Sequence, residues 1–322
     1  MARWTRRAAL LAPVPLAVPR GVRGQALPAG PLRLVVGFAP GGGIDGFARL
    51  LARQLGEQGG RSVVVDNRPG AGGTLAAAHV ARSAPDGTVL LVGDNGTIAT
   101  AQAVFANLPY DPARDLVPVT LAATQSVVIA ARPGLATGLA GLVEAARRAP
   151  GRLSYGSAGS GNPTHLFAAD LAQRTGIEVL HVPYRGGAQM ATSLLQRETD
   201  FGFFSLASAL PHLRSGGMAP LAVGDAAPHP LLPQVPPARE LLPGFDFAFW
   251  YGLNAPAGTP PAVVETLQAA LRAALLAPEL RGQLEAQGLV VRATSPADYA
   301  AFAAAETGRW TAVAQAAQIR PE

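Results

Sequence analysis

Two kinds of apolar run recur along this chain. Short, mostly branched stretches such as residues 32–36 (LRLVV), 62–66 (SVVVD) and 88–92 (TVLLV) have the length of buried strands. Each ends in a loop rich in Gly and Asn. After the first stretch, the turn 37–43 leads into residues 44–55, where Phe47, Leu50, Leu51 and Leu55 fall at helical spacing. After the second, Thr74 is placed to cap a helix over 74–83 that stops before Pro85-Asp86-Gly87. This βαβα rhythm predicts an α/β fold with doubly wound, mostly parallel sheets.

The rhythm breaks at Leu108-Pro109-Tyr110-Asp111-Pro112, and a long extended region follows over 117–131. It then restarts with a helix over 139–148, a strand over 153–156 and a helix over 163–175 that opens on Pro163. Strands over 179–182 and 200–204 and two further helices complete the repeat. A proline-rich passage gives way to a second extended stretch, 245–255. Beyond it, Val263, Leu267, Leu271 and Leu275 form an apolar stripe, and Ser295-Pro296-Ala297-Asp298 resembles a capping box. Two extended crossings imply two lobes, the first of them discontinuous. The expected division is 27–122 plus 251–322 for lobe 1 and 123–250 for lobe 2, with the C-terminal helices returning to lobe 1.

Residues 1–26 read differently. Arg3, Arg6 and Arg7 precede AALLAPVPLAV, and Gly24-Gln25-Ala26 offers small residues for cleavage, the pattern of a secretory signal peptide. Thr5-Arg6-Arg7 carries part of a twin-arginine pattern. The apolar run is too short and too rich in proline to span a bilayer, which takes roughly 20 apolar residues. Export to the periplasm, without membrane insertion, is the expectation. The leader also changes the charge. Its five arginines account for the whole net +5 of the 322-residue chain, leaving 21 arginines against 21 acids. No basic surface for nucleic acid is implied.

There is no lysine and no cysteine in the chain. Disulfides, thiolate chemistry, a P-loop lysine and Schiff-base catalysis are thereby excluded. The five histidines (79, 165, 181, 212, 229) show no metal-ligand spacing, and no metal or cofactor is expected. Neither Ser157 nor Ser160 sits in a nucleophile elbow. Gly41-x-Gly43-x-x-Gly46 with Asp66 twenty residues on matches a dinucleotide fingerprint, which makes a Rossmann-type oxidoreductase the rival reading. Against it, Phe38-Ala39-Pro40 lengthens the turn, and Asp45 would set a negative charge beside a pyrophosphate. What remains is a set of Gly/Ser/Thr/Asn loops at strand ends, 39–45, 93–97, 157–165 and 183–187. Facing one another, their N–H groups and hydroxyls would form a nest for a small anion.

Several stretches together resemble one family: PLRLVVGFAPGGGIDGFARLLARQL, VVVDNRPGAGGTLAAAHVARSAPDGTVLLVG, LPYDPARDLVPVTLAA, PGRLSYGSAGSGNPTHL, VPYRGGAQM and FWYGLNAPAGTP. They are similar to the solute receptors of tripartite tricarboxylate transporters, the Bug (TctC-like) periplasmic proteins. The resemblance implies a two-lobed type II periplasmic-binding-protein fold, with a ligand in the interlobe cleft. It also implies a monomeric receptor, not an enzyme, that closes on a small carboxylate and hands it to membrane permease subunits. A role as a ligand sensor for a signalling receptor would share this sequence.

The resemblance places the pocket on Gly41, Gly42, Gly43, Ile44 and Asp45, next to Phe38, and on the segment 157–166 with Ser157, Gly159, Ser160, Gly161, Thr164 and His165. Tyr184 and Phe204 are expected on the far side, and Asn95 and Thr97 come from the loop 93–97. Ile44, Phe204 and Asn162-Pro163 stand where the family commonly has smaller or more polar residues. A more apolar pocket follows, suited to an aromatic or branched monocarboxylate over citrate.

Overall fold

Strand β1 (Leu32–Val36) is buried at every residue but Arg33, so it lies inside a sheet with both faces covered. The computed structural model describes residues 30–319, and the expected leader at 1–26 lies outside them. After β1 come α1 (Gly43–Gly59), β2 (Val63–Asn67), α2 (Thr74–Ala81), β3 (Val89–Asp94), α3 (Ala101–Val104), α4 (Pro112–Asp115) and β4 (Leu116–Ala131). The second series is α5 (Gly138–Arg148), β5 (Ser154–Ser157), α6 (Pro163–Thr175), β6 (Leu180–Pro183), α7 (Gly187–Leu195), β7 (Phe201–Ser205), α8 (Leu206–Arg214) and β8 (Ala219–Val223). The chain ends with β9 (Ala248–Pro256), α9 (Pro261–Leu276), α10 (Pro278–Glu285), β10 (Leu289–Val291) and α11 (Pro296–Ala316).

The strands follow the order β2-β1-β3-β9-β4-β7-β5-β6, with β8 and β10 also pairing on β4. Outer pairs are parallel, as the βαβ rhythm requires: β1 with β2 and β3, and β5 with β6 and β7. The two extended crossings form the middle. They run antiparallel to each other, from Leu116↔Pro256 to Ser126↔Ala248, and antiparallel to β3 and β7. One residue later β4 changes partners, pairing with β7 and β8 from Val127 and Val128 onward. A single 16-residue strand thus belongs to both halves of a two-lobed fold. Strands β8 and β10 and a π-helical turn at Asn95–Thr100 carry no clear periodicity in sequence.

Helix α1 lays Phe47, Ala48, Leu51 and Leu55 on the sheet, beside the Val263, Leu267, Leu271 and Leu275 stripe of α9. Each such large side chain, fully buried, contributes about 1.5–3 kcal/mol. Helix α11 does more than return to the first half. Its Glu306 carboxylate accepts from the indole N–H of Trp250 on β9 (3.1 Å) and of Trp310 (2.9 Å). Trp310 also packs on Phe167 of α6 with ring centroids 5.0 Å apart, and Arg309 pairs with Asp170 of α6 at 3.2 Å. The last helix therefore leans on both halves.

Gly252 on β9 lies under Tyr299 of α11, and a Cβ there would overlap the phenol oxygen. Both residues are buried, so neither has room to retreat. Gly252→Ala is expected to destabilise the protein by about 1–3 kcal/mol through overpacking. Urea unfolding with an unchanged m-value would measure it, and a loss near zero would contradict this packing.

Candidate functional site

A cavity of about 280 Å³ opens where the strand-end loops of the two halves meet. From the first half come Phe38, Gly42, Gly43 and Ile44 of the β1–α1 turn, with Asp94 and Asn95 at the end of β3. From the second come Ala158, Asn162, Pro163 and Thr164 ahead of α6, Gly186, Gly187 and Met190 at α7, and Phe203, Ser205 and Ser208 around the start of α8. The crossing strands supply Gln125, Phe249 and Tyr251 as a floor.

Four helices begin at this cavity, and their first turns differ in what they leave free. Helix α1 starts after Gly42 with no side-chain cap, and its first helical bond runs from Gly46 N–H to the Gly42 carbonyl (2.9 Å). Helix α7 starts in the same way after Gly186, with Met190 N–H donating to Gly186 O (3.2 Å). Their leading N–H groups have no partner within the helix. Helix α6 is instead self-satisfied. Asn162 Oδ1 accepts from Thr164 N–H (3.1 Å) and from the Thr164 hydroxyl (3.0 Å), and Pro163 has no N–H to offer. At α8 the Ser205 hydroxyl takes the Ser208 N–H (3.3 Å). The uncapped ends are therefore α1 and α7, one from each half.

Of the residues singled out in sequence, Phe38, Gly42, Gly43, Ile44, Asn95 and Thr164 line this cavity. The others do not line it. Asp45 is 2% exposed, and its carboxylate accepts from Gly41 N–H (2.8 Å), Arg49 Nε (2.9 Å) and Asn67 Nδ2 (2.9 Å). Burial works to raise its pKa, but the bonds from Arg49, Gly41 and Asn67 hold it below the ordinary carboxylate value. Asp45 thus shapes the turn from inside. Thr97 caps the turn after β3, exchanging hydrogen bonds with Asp94. Gly159 and Gly161 have φ of +132° and +70°, the latter against Val104, and Ser160 faces solvent. Tyr184 packs with Met190 in the second-half core. Phe204 is 1% exposed in that same core, and Phe203, a lining residue, is fully buried with its ring packed on Phe167 and Phe247 on the opposite face of the strand.

Ser157 and His165 belong to a buried cluster that sequence spacing did not announce. The Ser157 Oγ is 2.6 Å from Nε2 of His181, and the His165 and His181 rings stack at 3.8 Å. His165 Nδ1 accepts the Gly161 N–H (3.1 Å), which pins the loop ahead of α6. Ser157 is buried and does not line the cavity.

No arginine lines the cavity. Its one acid is Asp94, whose carboxyl is pushed up by burial and held back by hydrogen bonds from Thr97 and Gly96. Burial and the nearby Asp94 raise the Tyr251 phenol, which therefore stays neutral and donates to Gln125 Oε1 (2.9 Å). Gln125, Phe249, Tyr251, Met190 and the pair Gly186–Gly187 were not named individually from sequence. Only the loop 183–187 had pointed that way.

Two lobes joined by paired crossing strands, with a cleft between strand ends, define a type II periplasmic-binding-protein fold. The chain belongs to the tripartite tricarboxylate transporter family receptors (TctC), whose family profile matches residues 47–319. A protein encoded in the tcbD-tcbE intergenic region of Pseudomonas sp. strain P51 is 38% identical over 294 residues, 90% of this chain and 87% of the relative. Among solved structures, R. palustris Rpa4515 with adipate is 35% identical with a TM-score of 0.84, covering 92% of this chain and all of that one. The periplasmic binding protein BugD (30%, TM-score 0.80) covers 92% of this chain and 100% of its own. MatC of Rhodopseudomonas palustris with bound malate (33%, TM-score 0.79) covers 89% and 99%.

The histidine stack gives this site a pH signature. Burial, with His181 beside it, lowers His165 from its ordinary 6.5 to about 4, and burial lowers His181 as well. A folded pKa below the unfolded one means the unfolded chain takes up the proton first. Stability is then fully present above about pH 6.5 and is lost as pH falls toward 4, by on the order of 2 kcal/mol for His165. Denaturant unfolding across that window should show the loss, and His165→Gln should remove part of the slope. Parallel pH profiles for the two proteins would contradict the assignment.

Proposed function

We propose that this protein is a periplasmic receptor that captures a small carboxylate in the cleft by hinge closure and delivers it to the membrane subunits of a tripartite transporter. The observation that carries this reading is the pair of uncapped helix starts, α1 and α7, facing one cavity from opposite sides. Each helix start contributes roughly 0.3–1 kcal/mol toward an anion, and up to about 2 when partly buried. Together with orphan N–H donors they hold a carboxylate without any cationic side chain. Relatives solved with adipate and with malate support the ligand class.

The lobes in this reading are 27–122 plus 251–322 and 123–250, with 1–26 as an export leader. The hinge lies within the crossing strands, close to where β4 changes partners after Ser126. The protein acts as a monomer and carries out no chemistry on its ligand, in keeping with a Ser157–His181 pair sealed away from the cleft. No helix among the described residues is long and apolar enough to cross a membrane, so delivery depends on docking to the permease.

Gly187→Pro tests the clamp with little cost to the fold, because the first helical position tolerates proline and loses only its N–H. Gly43→Val narrows the other end, where a Cβ would already stand 3.4 Å from the Tyr251 hydroxyl. With a panel of mono-, di- and tricarboxylates in calorimetry, the wild type should bind at least one acid. Each variant should weaken that binding by about five- to thirtyfold, equivalent to about 1–2 kcal/mol. Unchanged affinity in both variants would move the site elsewhere.

A further inference from the structure

The carboxylate reading leaves open which acids the cleft admits, and the floor of the cavity bears on that choice. Asp94 stands opposite Tyr251 in the β3–β9 ladder, Tyr251 opposite Ala123, and Gln125 opposite Phe249 in the β4–β9 ladder. Residues paired across strands or two apart on one strand share a face. Asp94, Tyr251, Gln125 and Phe249 accordingly all line the cavity.

Two of these groups have polar capacity left for a ligand. Gln125 is 4% exposed, its Oε1 is occupied by the Tyr251 hydroxyl, and its Nε2 donates to nothing among the described residues. Asp94 is fixed as an acceptor, since its Oδ1 receives both the Thr97 N–H (2.9 Å) and the Thr97 hydroxyl (2.8 Å). It forms no ion pair among the described residues, and no basic side chain lines the cavity. Asp94, on β3, offers an acceptor for a ligand hydroxyl, and Gln125, on β4 across the intervening β9, offers a donor on the same face. A second carboxylate beside Asp94 would meet no basic side chain at the cavity, so one of the two acids would have to take up a proton, which costs binding near neutral pH. The rest of the lining, with Ile44, Met190, Phe203 and Phe249, suits an apolar body.

We propose that Asp94, with Gln125 across β9 from it, is the specificity-determining element of the cleft. It selects monocarboxylates with an apolar body that carry a hydroxyl group, and it rejects dicarboxylates. This assignment rests on the carboxylate reading and narrows it.

Calorimetry on the full mature protein with two sets of matched acids tests it. The first set is benzoate, the three monohydroxybenzoates and the three benzenedicarboxylates. The second is hexanoate, 6-hydroxyhexanoate and adipate. Asp94→Asn and Asp94→Ser both keep an N-cap acceptor for Thr97 while removing the charge, so at least one should melt like the wild type without ligand. In the set that binds, the best hydroxy acid should bind at least tenfold tighter than the matched dicarboxylate. The neutral variant should shrink that ratio at least tenfold, chiefly by improving the dicarboxylate. A wild type that binds dicarboxylates as tightly as hydroxy acids would overturn the assignment and leave the receptor function standing, as would a ratio unchanged in the variant. Binding of no acid in either set overturns it too. If the wider carboxylate panel is also silent, the receptor reading falls with it.

Discussion

The antiparallel pairing of β4 with β9 is the constraint on which the rest depends. These strands are the only extended segments that pass between the two halves in the described chain order, and their ladder runs from Leu116↔Pro256 to Ser126↔Ala248. Because β4 then exchanges β9 for β7 and β8, one continuous backbone carries both sheets. The C-terminal ends of β1 and β3 are thereby turned toward those of β5 and β7, and the turns that follow them meet at a common cavity. The floor of that cavity is made of the same two strands, through Gln125, Phe249 and Tyr251. Any motion that changes the angle between the halves must therefore pass through the floor of the cavity. Helix α11 adds a second tie, with Arg309 and Trp310 reaching Asp170 and Phe167 of α6.

Charge is arranged in the opposite way from a salt-bridged site. Asp45 lies next to the first turn of α1, yet its carboxylate is committed to Gly41, Asn67 and Arg49, so it stiffens the turn rather than facing the cavity. In the proposed reading the anion is held by backbone N–H groups, which carry no titratable charge. Such donors reward a carboxylate of the right position and give little to a misplaced one, because their directions are fixed by the helices. Selectivity then passes to the neutral and acidic groups on the floor.

Much of this was legible in the chain itself. The strand–loop–helix repeats, the two long extended crossings and the glycine turn before α1 all follow from local spacing, and these are features that local spacing encodes. What was missed depends on contacts between distant segments. Phe204 was placed at the pocket, whereas its side chain is buried in the second-half core, since which face of a strand is covered is decided by distant neighbours. Ser157–Gly161 looked like the second half of an anion clamp; Asn162 and Thr164 satisfy the start of α6 from within, and in the proposed reading that role falls to Gly186–Gly187. The stacking of His165 on His181 joins α6 to β6, a neighbourhood that no sequence interval reveals. Gln125 and Tyr251 sit within apolar-looking strands, where a lone polar residue carries no motif.

A crystal structure of the protein with a bound carboxylic acid tests the central claim most directly. The account predicts carboxylate oxygens within about 2.7–3.2 Å of main-chain N–H groups in the first turns of both α1, at Gly43 and Ile44, and α7, at Gly187 and Ala188, with no arginine in contact. A carboxylate seated on an arginine, or held by the 157–161 loop with either helix start left empty, would contradict it.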